Sequence, residues 1–311
     1  MTPGPNAPVL PAAVRAELVA VVATVGPDGP AVLAAGQPPR LPAGALQATG
    51  DSLQEGVRAF AAEQTGHSLG YVEQLYTFAD LGRADPAAAH DGTARVISIS
   101  YLGLTRADSG APEWTAAYSL LPWEDRRSVG TAAALLEELE RWTLAASGAT
   151  RANRRERRNH LFGTADLPWR PELALQRYEL LWEAGIVGES PRARHPGVDS
   201  GIVMLHDHRR ILATGLSRLR SALQYRPVVF ELMAPTFTLG QLQEVVEALA
   251  GQDLHKQNFR RLVEQQHQLV EPTGESEHGT GGRPARLYRF RREVFAERAQ
   301  VGTKLPIPRA R

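Results

Sequence analysis

The stretch from Pro235 to Phe295 constrains the fold more than any other part of this 311-residue chain. FTLGQLQEVVEALAG places Leu239, Leu242, Val245, Val246 and Leu249 on one face of a helix. After the short turn GQD, LHKQNFRRLVEQQHQ repeats the helical period with Leu254, Phe259, Leu262 and Val263 available for burial. Its other side shows His255, Lys256, Gln257, Asn258, Arg260 and Arg261. LVEPTGE and GRPARLYRFRREVF, joined by a Gly-rich link, read as the strands of a hairpin whose tip carries Arg283 and Arg286.

Helix, turn, helix and basic hairpin is the layout of a winged helix-turn-helix. The chemistry suits a duplex: a helix enters the major groove, where Gln, Asn, Arg and Lys pair with base edges. Arg283 and Arg286 on a wing reach phosphates or a minor groove. The same pattern also describes a small helical domain with a solvated polar face. From Thr236 to Arg311 there are 12 Lys/Arg against 9 Asp/Glu, so the positive charge gathers at the end that carries this unit.

Upstream, RAELVAVVATV (15–25), the turn GPDG and PAVLAA form an expected hairpin. Ser52 with Glu55 three residues on is a capping-box pattern, and Leu53, Val57, Phe60 and Ala61 mark an amphipathic helix over 53–64, stopped by Gly66. YVEQLYTFAD (71–80) and ARVISISYLGL (94–104) alternate like strands, and 113–123 is a further candidate strand. TAAALLEELERWTLAAS and LALQRYELLWEAGIV are helical in period, so about 124–195 reads as a helical insertion or subdomain, with RRERR (154–158) as a solvated face. HDHRRILATGLSRLRSAL (206–223) is a helix packing through Ile211, Leu212, Leu216 and Leu219.

Cysteine is absent, which removes disulfides and thiolate metal sites and agrees with a cytoplasmic location. The first residues lack the basic start and apolar run of a signal peptide, and no window is long and apolar enough to expect a membrane span. His206 and His208 read as helix-cap or surface histidines rather than metal ligands.

FTLGQLQEVVEALAG, LHKQNFRRLVE, LVEPTGE and GRPARLYRF together resemble the Nudix-related transcriptional regulators, the NrtR family. ELVAVVATV, YVEQLYTFADLGR, RVISISYLGL and the helix around HDHRRILATGLSRLR look like the Nudix-like domain of that family. The resemblance implies an α/β/α Nudix-like sandwich at 1–225 with the 124–195 insertion, a winged helix at 226–295 and a tail at 296–311. It also implies operator DNA and a nucleotide effector such as ADP-ribose as partners, a homodimer, NAD metabolism genes as targets, and no cofactor.

Setting Gly66 at the last glycine of a Nudix box puts Ala45 at the first and Asp51 at the first glutamate. Ala59 and Phe60 then stand where Arg-Glu is expected, and Glu63 and Gln64 where Glu-Glu is expected. Positions 60, 63 and 64 project from one side of a helix. One carboxylate, an amide and a phenyl ring are a poor cage for Mg²⁺, which takes hard oxygens in octahedral geometry. The expectation is a pocket kept for sensing and not for hydrolysis; the rivals are a divergent Nudix hydrolase and an interaction scaffold built on the insertion. The effector residues this suggests are Glu63, Gln64, Tyr76 for adenine stacking, and Arg83 and Arg95 for a diphosphate.

Overall fold

The computed structural model describes residues 13–26, 28–46, 52–66, 68–80, 94–106, 114–127, 131–193, 198–266, 269–277 and 284–291. Its centre is a mixed sheet. β1 (Ala13–Gly26) runs parallel to β5 (Ala94–Leu104), and β4 (Tyr71–Phe78) lies antiparallel on the outer side of β5. The other edge of β1 is shared: β3 (Ala43–Ala45) pairs with Glu17 to Val19, and β2 (Gly29–Leu33) pairs with Ala23 to Gly26. β6 (Trp114–Ala116) closes that edge against β2.

The period-2 alternation of β1 divides the molecule. Leu18, Ala20 and Val22 face α1 (Leu53–Thr65) and join Leu33, Tyr101, Val57, Ala61 and Leu69 in a small core. Ser52 caps α1 by accepting from the Glu55 amide at 3.2 Å, and Gly66 ends it in the left-handed conformation, φ 70°. Val19, Val21 and Ala23 face the other way, into a far larger core that includes Ile211, Leu212, Leu216 and Leu219. Those four belong to α6 (His208–Tyr225), which lies so close over β1 that a Cβ on Gly215 would stand 2.9 Å from Val21. The outcome is the expected α/β/α sandwich.

Between β6 and α6 come α2 (Ala117–Leu120), a 3₁₀ turn (Pro122–Glu124), α3 (Thr131–Leu144), α4 (Gly148–Phe162), a second 3₁₀ turn (Pro171–Leu173) and α5 (Ala174–Ala184). Among the described residues of the candidate strand at 113–123, only Trp114–Ala116 form a strand. Ala117, Leu120 and Leu121 have helical spacing and are all buried, so the chain turns into α2. The insertion shares the large core through Leu135, Leu139, Leu161, Phe162, Tyr178 and Leu181, so it does not stand apart as a subdomain. Nor is RRERR a solvated face. The Arg154 guanidinium lies 3.9 Å from the Trp142 ring centroid, Arg157 pairs with Glu183 at 2.6 Å, and Arg158 pairs with Glu140. Those arginines pin α4 to α3 and α5, and Arg155 stays exposed.

The C-terminal unit has α7 (Leu239–Ala250), α8 (Lys256–Arg260), a π-helical turn (Arg261–Gln266) and the hairpin β7 (Val270–Glu277)–β8 (Ala285–Phe290). Thr238 and Gln241 form a capping box at the start of α7, with bonds of 3.2 and 2.7 Å. Phe237 forms an antiparallel bridge to Tyr288 at the edge of this two-stranded wing. No helix among the described residues is long and apolar enough to cross a membrane.

Candidate functional site: an exposed polar face on α8 and a cavity beneath α6

α8 and the turn after it sort their residues as the sequence pattern requires. Leu254, Phe259 and Val263 are buried, while His255, Lys256, Gln257, Asn258, Arg260 and Arg261 are all exposed. One departure matters. The regular helix expected through this segment gives way at Arg261 to a wider π turn, whose i→i+5 bonding changes the helical phase. Leu262 is only half-buried as a result, and Glu264 accepts from the Tyr288 hydroxyl at 2.7 Å, which ties this helix to the wing. Arg261 donates to the Asn258 side-chain oxygen at 2.8 Å, so these two groups present a joined surface. Arg286 is exposed on β8 beside the Tyr288 hydroxyl. Arg283 lies outside the described residues.

Of the effector residues expected from the sequence, Arg95, Tyr76, Glu63 and Gln64 lie among the described residues, and no hydrogen bond joins one of them to another. Arg95 donates twice to the Ala79 carbonyl, at 3.1 and 2.9 Å. Tyr76 is 62% exposed on the edge strand and meets Phe78 edge-on, with ring centroids 6.4 Å apart. Glu63 is exposed on α1. The Gln64 amide donates to the Ala43 carbonyl at 3.0 Å, and Phe60 packs over Gly44. Arg83 and Asp51 lie outside the described residues.

A cavity of about 170 Å³ opens on the opposite face of the sheet. β1 supplies Arg15 and Glu17, β5 supplies Val96 and Ser98, β3 supplies Ala43, and the start of α6 closes it with His206, Asp207, His208 and Ile211. Arg40 and Leu205 complete the wall. The parallel register makes this possible, because Arg15 lies opposite Val96 and Glu17 opposite Ser98, so alternate residues share the α6 face. Gln64 and the cavity meet only through Ala43, at the edge formed by β3.

The polar groups of the cavity are ordered. Ser98 donates to Glu17 at 2.7 Å. His208 is buried, and its Nδ1 accepts from the Leu41 amide at 3.1 Å, which leaves the ring proton on Nε2. Burial first, and then the charges of His206 and Arg40, push its pKa down to about 4, so the ring is neutral at pH 7. His206 holds a left-handed backbone, φ 48°, an uncommon conformation for a residue with a Cβ. Arg15 and Arg40 face the Glu17 carboxylate, which already takes the Ser98 proton, and the Asp207 carboxylate, so the lining is of mixed sign and suits a polar group that both donates and accepts. Isolated polar residues at 15, 17, 40, 98 and 206–208 carried no periodic signal in the sequence, except that the His-Asp-His run stands out before an apolar helix. Among the described residues no group of three His, Asp or Glu side chains is placed to hold a metal ion.

Three similarities bear on this arrangement. Residues 229–290 match the family model of the NrtR DNA-binding winged helix domain. The chain is 39% identical over 84 residues to the ADPR responsive transcriptional repressor NtrR of Acinetobacter baylyi, a match covering 27% of this chain and 33% of that protein. It therefore spans a third of that relative's length. The crystal structure of Shewanella oneidensis NrtR aligns with 93% of this chain and 97% of its own at 20% identity and a TM-score of 0.52. The same protein complexed with a 27mer DNA aligns over 90% and 95% at 20% identity and a TM-score of 0.51. The C-terminal unit of this chain matches the NrtR DNA-binding winged helix domain, and the chain as a whole has the fold of Shewanella NrtR.

Proposed function

We propose that this protein is a ligand-responsive transcriptional regulator that binds operator DNA through α8 and the β7–β8 wing. The division of labour follows the expected domains, with effector sensing at 1–225 and DNA binding at 226–295. A homodimer would present two recognition helices to two half-sites. The reading includes a cytoplasmic location and repression of NAD metabolism genes, as the family resemblance implies. The observation that carries it is the sorting of α8: six polar or basic residues exposed in one run, around apolar residues that are buried.

The effector belongs in the cavity beneath α6, and a nucleotide such as ADP-ribose suits its chemistry. At about 170 Å³ the cavity takes one phosphate or sugar of such a ligand, with the remainder lying outside. Glu63, Gln64, Tyr76, Arg83 and Arg95 then serve, if at all, on the outer part of the molecule. Hydrolysis is not part of this reading. Phe60 is packed on Gly44, the Gln64 amide is engaged with Ala43, and Glu63 is the single carboxylate left on that side of α1, so these groups do not fit a divalent cation.

Fluorescence anisotropy on a duplex from the gene's own upstream region and on a scrambled duplex, with and without ADP-ribose, tests the reading. Arg260→Ala or Asn258→Ala should weaken binding to the specific duplex by about 1–3 kcal/mol if the side chain reads a base. Equal affinity for both duplexes would sink the proposal. Mg²⁺-dependent release of AMP from ADP-ribose, lost on Glu63→Ala, would establish the hydrolase instead.

A further inference from the structure

Glu124 ends the 3₁₀ turn after α2 and is fully buried. Its carboxylate accepts two bonds from Arg177 of α5, at 2.7 and 2.8 Å, and another from Arg220 of α6. Both arginine side chains are fully buried as well. Arg177 spends its remaining donors on the carbonyls of Leu161, Arg170 and Pro171. Arg220 donates to the Leu249 carbonyl at 2.8 Å and to the Tyr118 hydroxyl at 3.2 Å, and Tyr118 donates to the Ala248 carbonyl. Ala248 and Leu249 are in the last turn of α7, where helix carbonyls have no partner within the helix. Gly251 follows at φ 68°, pressed so close that a Cβ would collide with the Glu124 carbonyl oxygen. The Gly251 carbonyl accepts from the Arg126 amide at 2.8 Å. The first helix of the DNA-binding unit is thus docked, by its C-terminal end, on a charged knot.

Burying three charges is a poor way to gain stability, since apolar residues of similar volume often do as well or better. What such a knot supplies is direction: each bond has one geometry. The guanidinium that meets α7 belongs to α6, and α6 also closes the cavity at its other end through His208 and Ile211. Arg220 lies twelve residues beyond His208, about 18 Å along a continuous helix. A helix moves as a rigid element, so a displacement at one end reaches the other.

We propose that the Arg220–Glu124–Arg177 knot, with Tyr118, is the joint through which occupancy of the cavity repositions the winged helix. The helical insertion supplies its fixed side: Arg177 holds Glu124 in place, so movement of α6 passes into α7. The proposal rests on the reading of the cavity as the effector site. Glu124, Arg177, Arg220 and Tyr118 are positioning residues: none lies in α8 or the wing, and none lines the cavity.

The test uses the full-length protein and the variants Tyr118→Phe and Arg220→Lys. Calorimetry without DNA gives the ADP-ribose affinity; anisotropy gives DNA affinity with and without saturating ADP-ribose. Each variant should bind ADP-ribose within about twofold of wild type, while the ratio of the two DNA affinities shrinks by about fivefold or more. A purely structural knot would lower the melting temperature and leave that ratio alone, and an unchanged ratio in folded variants overturns the joint. Tyr118→Phe removes a single hydroxyl and carries the test should Arg220→Lys fail to fold. A wild-type protein whose DNA affinity ignores ADP-ribose overturns the effector reading and the joint together; a responsive wild type with equally responsive variants overturns the joint alone.

Discussion

α1 and α6 lie on opposite faces of one sheet and do very different work. α1 buries Val57 and Ala61 in the small core and leaves Glu63 and Gln64 on its outer side. α6 buries Ile211, Leu212, Leu216, Leu219 and Leu223 together with Arg209 and Arg220, both fully buried. Arg209 pairs with Glu189 at 2.6 Å and donates to the Ser200 carbonyl at 2.6 Å. The helix that carries the Nudix-box pattern therefore acts as a cover for one sheet face. The helix on the other face is tied by buried charge to the insertion and the winged-helix unit, and its first turn lines the cavity. Among the described residues of these two helices, the fully buried charges lie on α6 and none lies on α1.

That contrast can be broken by substitutions on the two faces. Glu124→Ala strands two buried guanidiniums and should cost about 3–5 kcal/mol in denaturant unfolding; a loss below that of an ordinary surface change would show the knot to be dispensable. Glu124 also shapes the acid limb. Burial raises its pKa, but Arg177 and Arg220 outweigh burial and hold it below the ordinary carboxylate value of 4.5. Its contribution is present above that value and is lost as pH falls through the lower, folded one.

His208 should come next. Its pKa is about 4 in the fold against 6.5 in the open chain, so between those values the unfolded state takes up a proton that the folded state refuses. Stability should fall as pH drops from 6.5 towards 4, by on the order of 3 kcal/mol in total. In His208→Asn that slope should flatten, as read from urea midpoints across the range; an unaltered slope would show that another group titrates there. On the α1 side effects should be smaller. Ser52→Ala removes the cap and should cost about 1 kcal/mol. Glu63→Ala should change stability by no more than about 0.5 kcal/mol, with no effect on Mg²⁺-dependent melting; a clear metal-dependent shift lost in this variant would restore α1 as a chemical site.

Legibility in the sequence followed the range of the interactions. α1, α7, α8 and the wing were readable because each buries a face whose period lies within one short segment, and because Ser52 is a local start signal and Gly66 and the turn after Leu249 are local stop signals. The cap Thr238 with Gln241 was equally local and could have been read from the same stretch. The π turn after Arg260 was not legible, since the apolar period of RLVEQQ is compatible with either helix. RRERR was misjudged because charge density alone does not reveal that Trp142, Glu140 and Glu183 lie opposite. The cavity was not legible either. Its walls come from four separate stretches between Arg15 and Ile211, brought together by the parallel pairing of β1 and β5. For the knot there was one faint signal, an arginine at 220 within the apolar helix Leu216, Leu219, Leu223.

The amino-acid sequence by itself determined the winged helix, the two helices that flank the sheet, and the exposure of Lys256, Gln257, Asn258, Arg260 and Arg261 around buried Phe259, because periodicity and capping act over a few residues. Only the tertiary structure decided which face of the sheet holds a cavity and where Glu124 finds its partners. Glu124 meets Arg177 across 53 positions and Arg220 across 96, and no local pattern records a pairing whose energy exists only once water has been excluded from both groups.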